Sequence, residues 1–170
     1  MSLTPTIRAE HPRDHTAIGE VIDAAFRDMP FAAGDEAGLV ATLRSVGALR
    51  LSLVAELNGT VIGQIAFSPA RPSDESPHWY ALGPVAVLPT YQGQGVGSRL
   101  VREGLRIISQ LGAMGCILTG NPAYYTRFGF NLSPTNTPPG EPAEYFMVKA
   151  FGTHVPKGPI YFHEAFQSAA

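Results

Sequence analysis

The chain has 170 residues, 45% of them hydrophobic and 15% charged, with a formal net charge of -2. That composition describes a globular fold long enough to bury a core without staples, and it excludes a disordered chain. The weak negative charge gives no electrostatic footing for nucleic acid or an anionic membrane, so any anion site must be local.

No apolar run approaches the ~20 residues of a membrane helix, and Met1 to Glu10 lacks a charged stretch followed by an apolar one. The single cysteine, Cys116, has no partner for an intrachain disulfide and no neighbouring cysteines for a metal. These features predict a cytoplasmic protein forming one domain over residues 1–170.

In chain order, Thr6 to Ala9 reads as a first strand. Asp14 then predicts the cap of a helix whose apolar positions Ile18, Val21, Ile22, Ala25 and Phe26 fall at helical spacing. Asp28 to Gly34 is a loop, and Asp35 to Ser45 a shorter helix with Leu39, Val40 and Leu43 on one side. His11 and His15 are four apart, but Pro12 and Asp14 mark a helix entrance between them and argue against a metal pair. Two β-rich runs, Leu51 to Leu57 and Thr60 to Phe67, flank Asn58-Gly59, whose tolerance of positive φ predicts a type I′ hairpin.

Pro69 to Pro77 is a loop that delivers the chain to an apolar strand, Trp79 to Leu88. Inside that strand, Gly83-Pro84 removes a ladder donor and a packing side chain; a bulge or a splayed strand accounts for both, and an edge strand is the alternative. Then come the glycine-rich turn and an amphipathic helix. Gly97, Leu100, Val101, Gly104, Leu105 and Ile108 form its continuous apolar face, with Arg99, Arg102 and Arg106 on the other side. Met114 to Leu118 is a brief strand holding Cys116 as a buried, inert thiol. Ala123 to Arg127 is a short helix, and Phe130 to Leu132, Glu144 to Lys149 and Ile160 to Phe162 are extended. The order predicts a three-layer-like α/β arrangement with a mixed sheet, in which a hairpin precedes a right-handed parallel β-α-β crossover.

The turn Gln92, Gly93, Gln94, Gly95, Val96, Gly97, Ser98 carries most of the functional signal. Glycines at a helix mouth let backbone N–H groups converge on an anion at the positive end of the helix. A Walker A loop fails here, because Gly97 is followed by Ser98 and Arg99 rather than by lysine. A dinucleotide fingerprint fails too: Ser98 stands where its third glycine belongs, and no acidic residue ends the next strand near Leu118.

Gln92, Gly95 and Gly97 instead satisfy a third pattern: Gln or Arg, two residues, Gly, one residue, Gly or Ala. With the strand Val85-Ala86-Val87-Leu88-Pro89 before it and Asn121 to Phe130 after it, the chain resembles the GNAT superfamily of acyl-CoA N-acyltransferases, in its bacterial form. The resemblance spans about residues 5–150, with 151–170 as a C-terminal extension. It implies a mixed sheet with a splayed central strand and helices on both faces. It also implies acetyl-CoA as acyl donor, with no metal. The pyrophosphate would lie on the N–H groups of residues 92–98, helped by the Ser98 hydroxyl, and the pantetheine arm would pair with Val85, Ala86 and Val87.

Asn121 and Tyr125 match the family's second stretch, the tyrosine standing four residues before Gly129-Phe130. The resemblance therefore implies that Asn121 contacts the donor, and that Tyr125 both contacts it and protonates the departing sulfur, with Tyr124 as the alternative. A phenol of pKa ~10 is a better-placed acid than bulk water for a thiolate whose thiol has pKa ~8.5. A backbone N–H near Val87 would hold the oxyanion. No base is assigned among Glu20, Asp28, Glu56 and His78.

The expected activity is direct acetyl transfer to a small-molecule or peptide amine in a ternary complex. The alternative is a non-catalytic acyl-CoA-binding or regulatory module. Asp28, Phe31, Asp35 and the proline-rich loop after Ser133 are candidate walls for the acceptor. The extension leaves two roles open, a cover for that cleft or a contact with a second copy of the chain.

Overall fold

The computed structural model describes residues 4–29 and 34–168. Phe31 lies outside the described residues. Nine strands form in chain order: β1 Thr6–Ala9, β2 Leu51–Leu57, β3 Thr60–Pro69, β4 Arg71–Pro72, β5 Trp79–Val87, β6 Gly115–Thr119, β7 Asn131–Leu132, β8 Phe146–Ala150 and β9 Ile160–Tyr161. The helices are α1 His15–Phe26, α2 Glu36–Ser45, α3 Val96–Gln110, α4 Pro122–Tyr125 and α5 Ala165–Ser168. A seven-stranded sheet runs β1-β2-β3-β5-β6-β8-β7, while β4 and β9 pair separately. Among the described residues only β5 and β6 are parallel, joined through α3 as the crossover requires.

The hairpin forms as its turn chemistry demands: Asn58 and Gly59 both take positive φ, 51° and 79°, and Leu57 pairs with Thr60. On one face of the sheet, Leu100, Val101, Leu105 and Ile108 of α3 bury against Leu53, Ile65 and Phe67. Each such side chain contributes about 1.5–3 kcal/mol by leaving water. On the other face, Ile18, Val21 and Ile22 of α1 and Val40 of α2 meet Val54, Ala66 and Ala86. Helices therefore cover both faces of a mixed sheet, as the element order predicts.

The region after Ala150 is part of this second layer. Its strand β9 zips onto β4 inside the loop that follows β3. Ala165 and Phe166 of α5 pack on Leu39 and Leu43 of α2.

β5 is central and irregular. Ile65 pairs with Val85 and Phe67 with Leu82, so Ala66 alone stands opposite Gly83 and Pro84, a bulge with a cis peptide between the two. On its other side β5 pairs with β6 only through Trp79↔Gly115, Tyr80↔Cys116 and Ala81↔Ile117. From Leu82 onward the two strands part. Both expected irregularities, bulge and splay, are present, and the edge-strand alternative fails because β5 has neighbours on both sides.

Asp14 does not act as the expected cap. Although it precedes α1, its side chain makes no capping bond to that helix. It turns back instead, accepting the His11 N–H at 2.7 Å and pairing with Arg8 at 2.8 and 3.1 Å. A buried carboxylate facing a guanidinium gains more from that charge-assisted pair than from two amide donors. The Arg8 bonds hold Asp14 well below the usual carboxylate range, at about 2.

Because the folded value lies below the unfolded value of ~3.9, Asp14 stabilises the fold above that pH, and the gain is lost as pH falls toward about 2. Asp14→Asn is expected to lower stability at pH 7 by about 2 kcal/mol in urea unfolding. The variant should also lose less than the wild type over the acid window; equal acid sensitivity in both would contradict this role.

Candidate active site

Two cavities lie along the opening between β5 and β6. The smaller, about 310 Å³, is bordered by Val87, Tyr91, the turn residues Gln92, Gly93, Gly95, Gly97 and Ser98, and by Tyr124 and Arg127. The larger, about 620 Å³, is bordered by Leu82 to Val85 of the parted strand, by Leu118 to Asn121 at the end of β6, and by Tyr124 and Tyr125 of α4. Tyr124 belongs to both, so the cavities meet at that ring.

The turn is built for an anion. Gly93 and Gly95 take left-handed φ of 75° and 87°, where side-chain-bearing residues are strained. They roll the backbone so that successive N–H groups face outward as a nest. Arg99 N–H reaches back onto Gly95 O at 3.1 Å, so the N–H groups of Val96, Gly97 and Ser98 precede the helical ladder. No side chain caps them.

Several residues of the turn have tasks other than the expected one. Gln92 donates its side chain to the Val87 carbonyl at 2.9 Å and its own N–H to Pro89 O at 3.3 Å, so it shapes the turn from inside. Gln94 Nε2 donates to Thr90 O at 3.1 Å. Ser98 Oγ shares a hydrogen bond with Tyr124 Oη at 3.1 Å. That bond ties the start of α3 to α4 across the opening. Val85 borders the larger cavity and Val87 the smaller, while Ala86 turns its side chain into the core beneath α1.

Asn121 caps α4, its Oδ1 accepting the Ala123 N–H at 3.0 Å, and the residue borders the larger cavity. Tyr125 is mostly buried, edge-on to Tyr124 and Phe130 with centroids 5.0 and 6.1 Å away. Burial, with the Tyr124 hydroxyl nearby, pushes its phenol up to about 12. Gly120 makes room for it: a Cβ there would stand 2.6 Å from Tyr125 Cε2.

Arg127, with its guanidinium 4.7 Å from the Tyr124 ring centroid, is the cation at the turn cavity. Arg99 instead donates to Pro5 O at 2.8 Å, Arg102 stacks over Phe128 at 5.0 Å, and Arg106 pairs with Glu103. In the larger cavity the carboxylates are Glu36 and Glu141.

The suggested bases lie elsewhere. Glu20 and Glu56 border a separate groove, where Glu56 is paired with Arg8 at 2.7 Å. Neither Asp28, Asp35 nor His78 borders the larger cavity; of the suggested acceptor walls, Glu141 in the proline-rich loop does. Burial pushes the Cys116 thiol up, consistent with an inert core residue. Among the described residues no three His, Cys, Asp or Glu side chains gather as a ligand set.

A parted parallel pair with a glycine-rich, uncapped helix start at its mouth defines an α/β protein with a cleft shaped for a long ligand with an anionic head. Residues 19–130 match the model of the acetyltransferase (GNAT) family. The chain belongs to that family. It is 42% identical over 128 residues to the uncharacterized N-acetyltransferase YhbS of Escherichia coli K12, covering 75% of this chain and 74% of that one. A GNAT acetyltransferase from Brucella melitensis, crystallised with acetyl-CoA, superposes with a TM-score of 0.86 at 44% identity, covering 96% of this chain and 98% of its own. Escherichia coli YhbS in complex with CoA gives 0.84 at 35% identity, covering 98% and 94%.

The contact at Gly120 makes a direct prediction. Gly120→Ala forces the buried Tyr125 ring aside and is expected to cost about 1–3 kcal/mol, read as a lowered Tm; an unchanged Tm would mean that the ring is free to move.

Proposed function

We propose that the chain moves the acetyl group of acetyl-CoA directly to an amine within a ternary complex, as one N-acetyltransferase domain. The observation that carries this reading is the continuity of the two cavities along the parted edge of β5. The pyrophosphate sits on the N–H groups of Gly93 to Ser98 with Arg127 beside it, where charge-assisted bonds are strongest. The pantetheine arm adds to the free side of β5 at Val85, Ala86 and Val87 as a strand would, and Asn121 donates to it from the opposite wall. The complexes of the Brucella melitensis and Escherichia coli relatives with acetyl-CoA and CoA support the choice of ligand.

That path leaves the thioester in the larger cavity. The amine nitrogen bonds to the acetyl carbon, the oxyanion rests on a β5 backbone N–H at Val85, which borders the larger cavity, rather than near Val87, which borders the smaller, and the C–S bond breaks. Tyr125 gives its hydroxyl proton to the leaving sulfur. A phenol held at about 12 is a weak acid toward a thiolate in water. It serves here because burial raises a thiolate's proton affinity as well, as it does for Cys116. Tyr124, bonded to Ser98 at the junction of the cavities, seats the donor rather than protonating it. A reducing compartment rich in acetyl-CoA, the cytoplasm, suits such an enzyme.

Tyr125→Phe is expected to lower kcat about 100-fold or more while the Kd for acetyl-CoA stays fixed. Tyr124→Phe should move KM for acetyl-CoA more than kcat. Equal turnover in wild type and Tyr125→Phe would remove the acid role. Arg127→Gln is expected to raise the Kd for acetyl-CoA about tenfold at low salt and leave that for acetyl-pantetheine, which lacks the phosphates, unchanged. Calorimetric titration of both ligands checks this, and equal losses for the two would place Arg127 away from the phosphates.

A further inference from the structure

The larger cavity continues beyond the thioester position toward α1, α2 and the C-terminal segment. Phe26, Leu39, Phe162 and Phe166 make that end apolar. Among the described residues that border it, the charged side chains are two carboxylates, with no lysine, arginine or histidine. Glu141 already has a partner, accepting the Thr119 hydroxyl at 3.2 Å.

Glu36 is different. One of its oxygens, Oε2, accepts the N–H groups of Gly34 and Asp35, each at 3.1 Å, and so anchors the start of α2. The other, Oε1, is buried and has no hydrogen-bond partner among the described residues. Anchoring the loop accounts for Oε2 only. An unpaired buried carboxylate oxygen is costly, and the cost is offset when a ligand brings the missing donor.

We propose that Glu36 binds the ammonium group of a hydrophobic amine and takes its proton, so that the acceptor is a primary alkylamine on an apolar body. This rests on the acetyl-transfer reading above. The acceptor end of the cavity repels carboxylates and phosphates through Glu36 and Glu141, and its aromatic walls favour an aliphatic or aromatic body over a polycation. One ammonium proton passes to Glu36 and the nitrogen then bonds to the acetyl carbon. When the C–S bond breaks, the sulfur keeps the electron pair and takes the Tyr125 hydroxyl proton. A second proton from the nitrogen restores that hydroxyl, and Glu36 releases the first to solvent.

The test uses the full chain, acetyl-CoA and cyclohexylamine. Wild type is expected to release CoA with this amine. Glu36→Gln retains an oxygen to accept the Gly34 and Asp35 N–H groups, so Tm and the Kd for acetyl-CoA should hold while kcat/KM for the amine falls about 100-fold at pH 7. That deficit should narrow at pH 10, where the amine, with pKa ~10.4 by analogy with lysine, arrives largely neutral. Glu36→Asp, one methylene shorter, should be intermediate.

Full activity in Glu36→Gln or Glu36→Asp, or a deficit that is the same at both pH values, overturns the role of Glu36. Wild type that acetylates anionic amines but not cyclohexylamine overturns the acceptor class alone. Wild type that does not bind acetyl-CoA overturns the acetyl-transfer reading itself.

Discussion

Everything functional in this fold depends on β5 ceasing to pair with β6 after Ala81. Trp79 anchors the paired end, lying so close over β6 that a Cβ on Gly115 would stand 2.3 Å from its ring. Two residues beyond Ala81, the Gly83-Pro84 bulge realigns the strand against β3, and proline has no N–H to offer β6. β6 meanwhile turns away at Gly120 into α4, whose tyrosines stand against the gap. A continuous parallel pair would close the sheet and leave no free backbone edge for a ligand to join.

The gap gains its chemistry from segments far apart in the chain. The turn and the start of α3 provide backbone donors at one end, and α4 with the 3-10 turn after it contributes Tyr124, Tyr125 and Arg127 along one side. α2 and the C-terminal segment close the far end. Because α5 packs on α2 through Leu39, Leu43, Ala165 and Phe166, residues beyond Ala150 help hold that end of the larger cavity in place. Phe162 and Phe166 of the extension border it.

Features that depend on local pattern were legible in the sequence. The apolar face of α3, the Asn58-Gly59 hairpin, the Gly93 and Gly95 turn and the Gly83-Pro84 break each follow from a period or from a residue whose backbone freedom is unusual. Features that depend on distant partners were not. β4 is a two-residue strand inside a stretch that reads as a loop, and although Ile160 to Phe162 reads as extended, its pairing with β4 has no local signal. Asp14 carries an ordinary cap signal, and only the fold brings Arg8 against it. Arg127 lies between Tyr125 and Gly129, but nothing in its spacing marks it as a cation of the turn cavity. Glu36 stands at an unremarkable helix start, and its unpaired oxygen exists only in three dimensions.

The path from the turn to the cleft is tested by a crystal structure of the acetyl-CoA complex. The pyrophosphate oxygens should lie within hydrogen-bond distance of the N–H groups of Gly93 to Ser98. The pantetheine amides should bond to β5 between Val85 and Val87, and the sulfur should lie beside Tyr125 Oη. A pyrophosphate bound away from the turn, or an arm that runs outside the gap between β5 and β6, would contradict it.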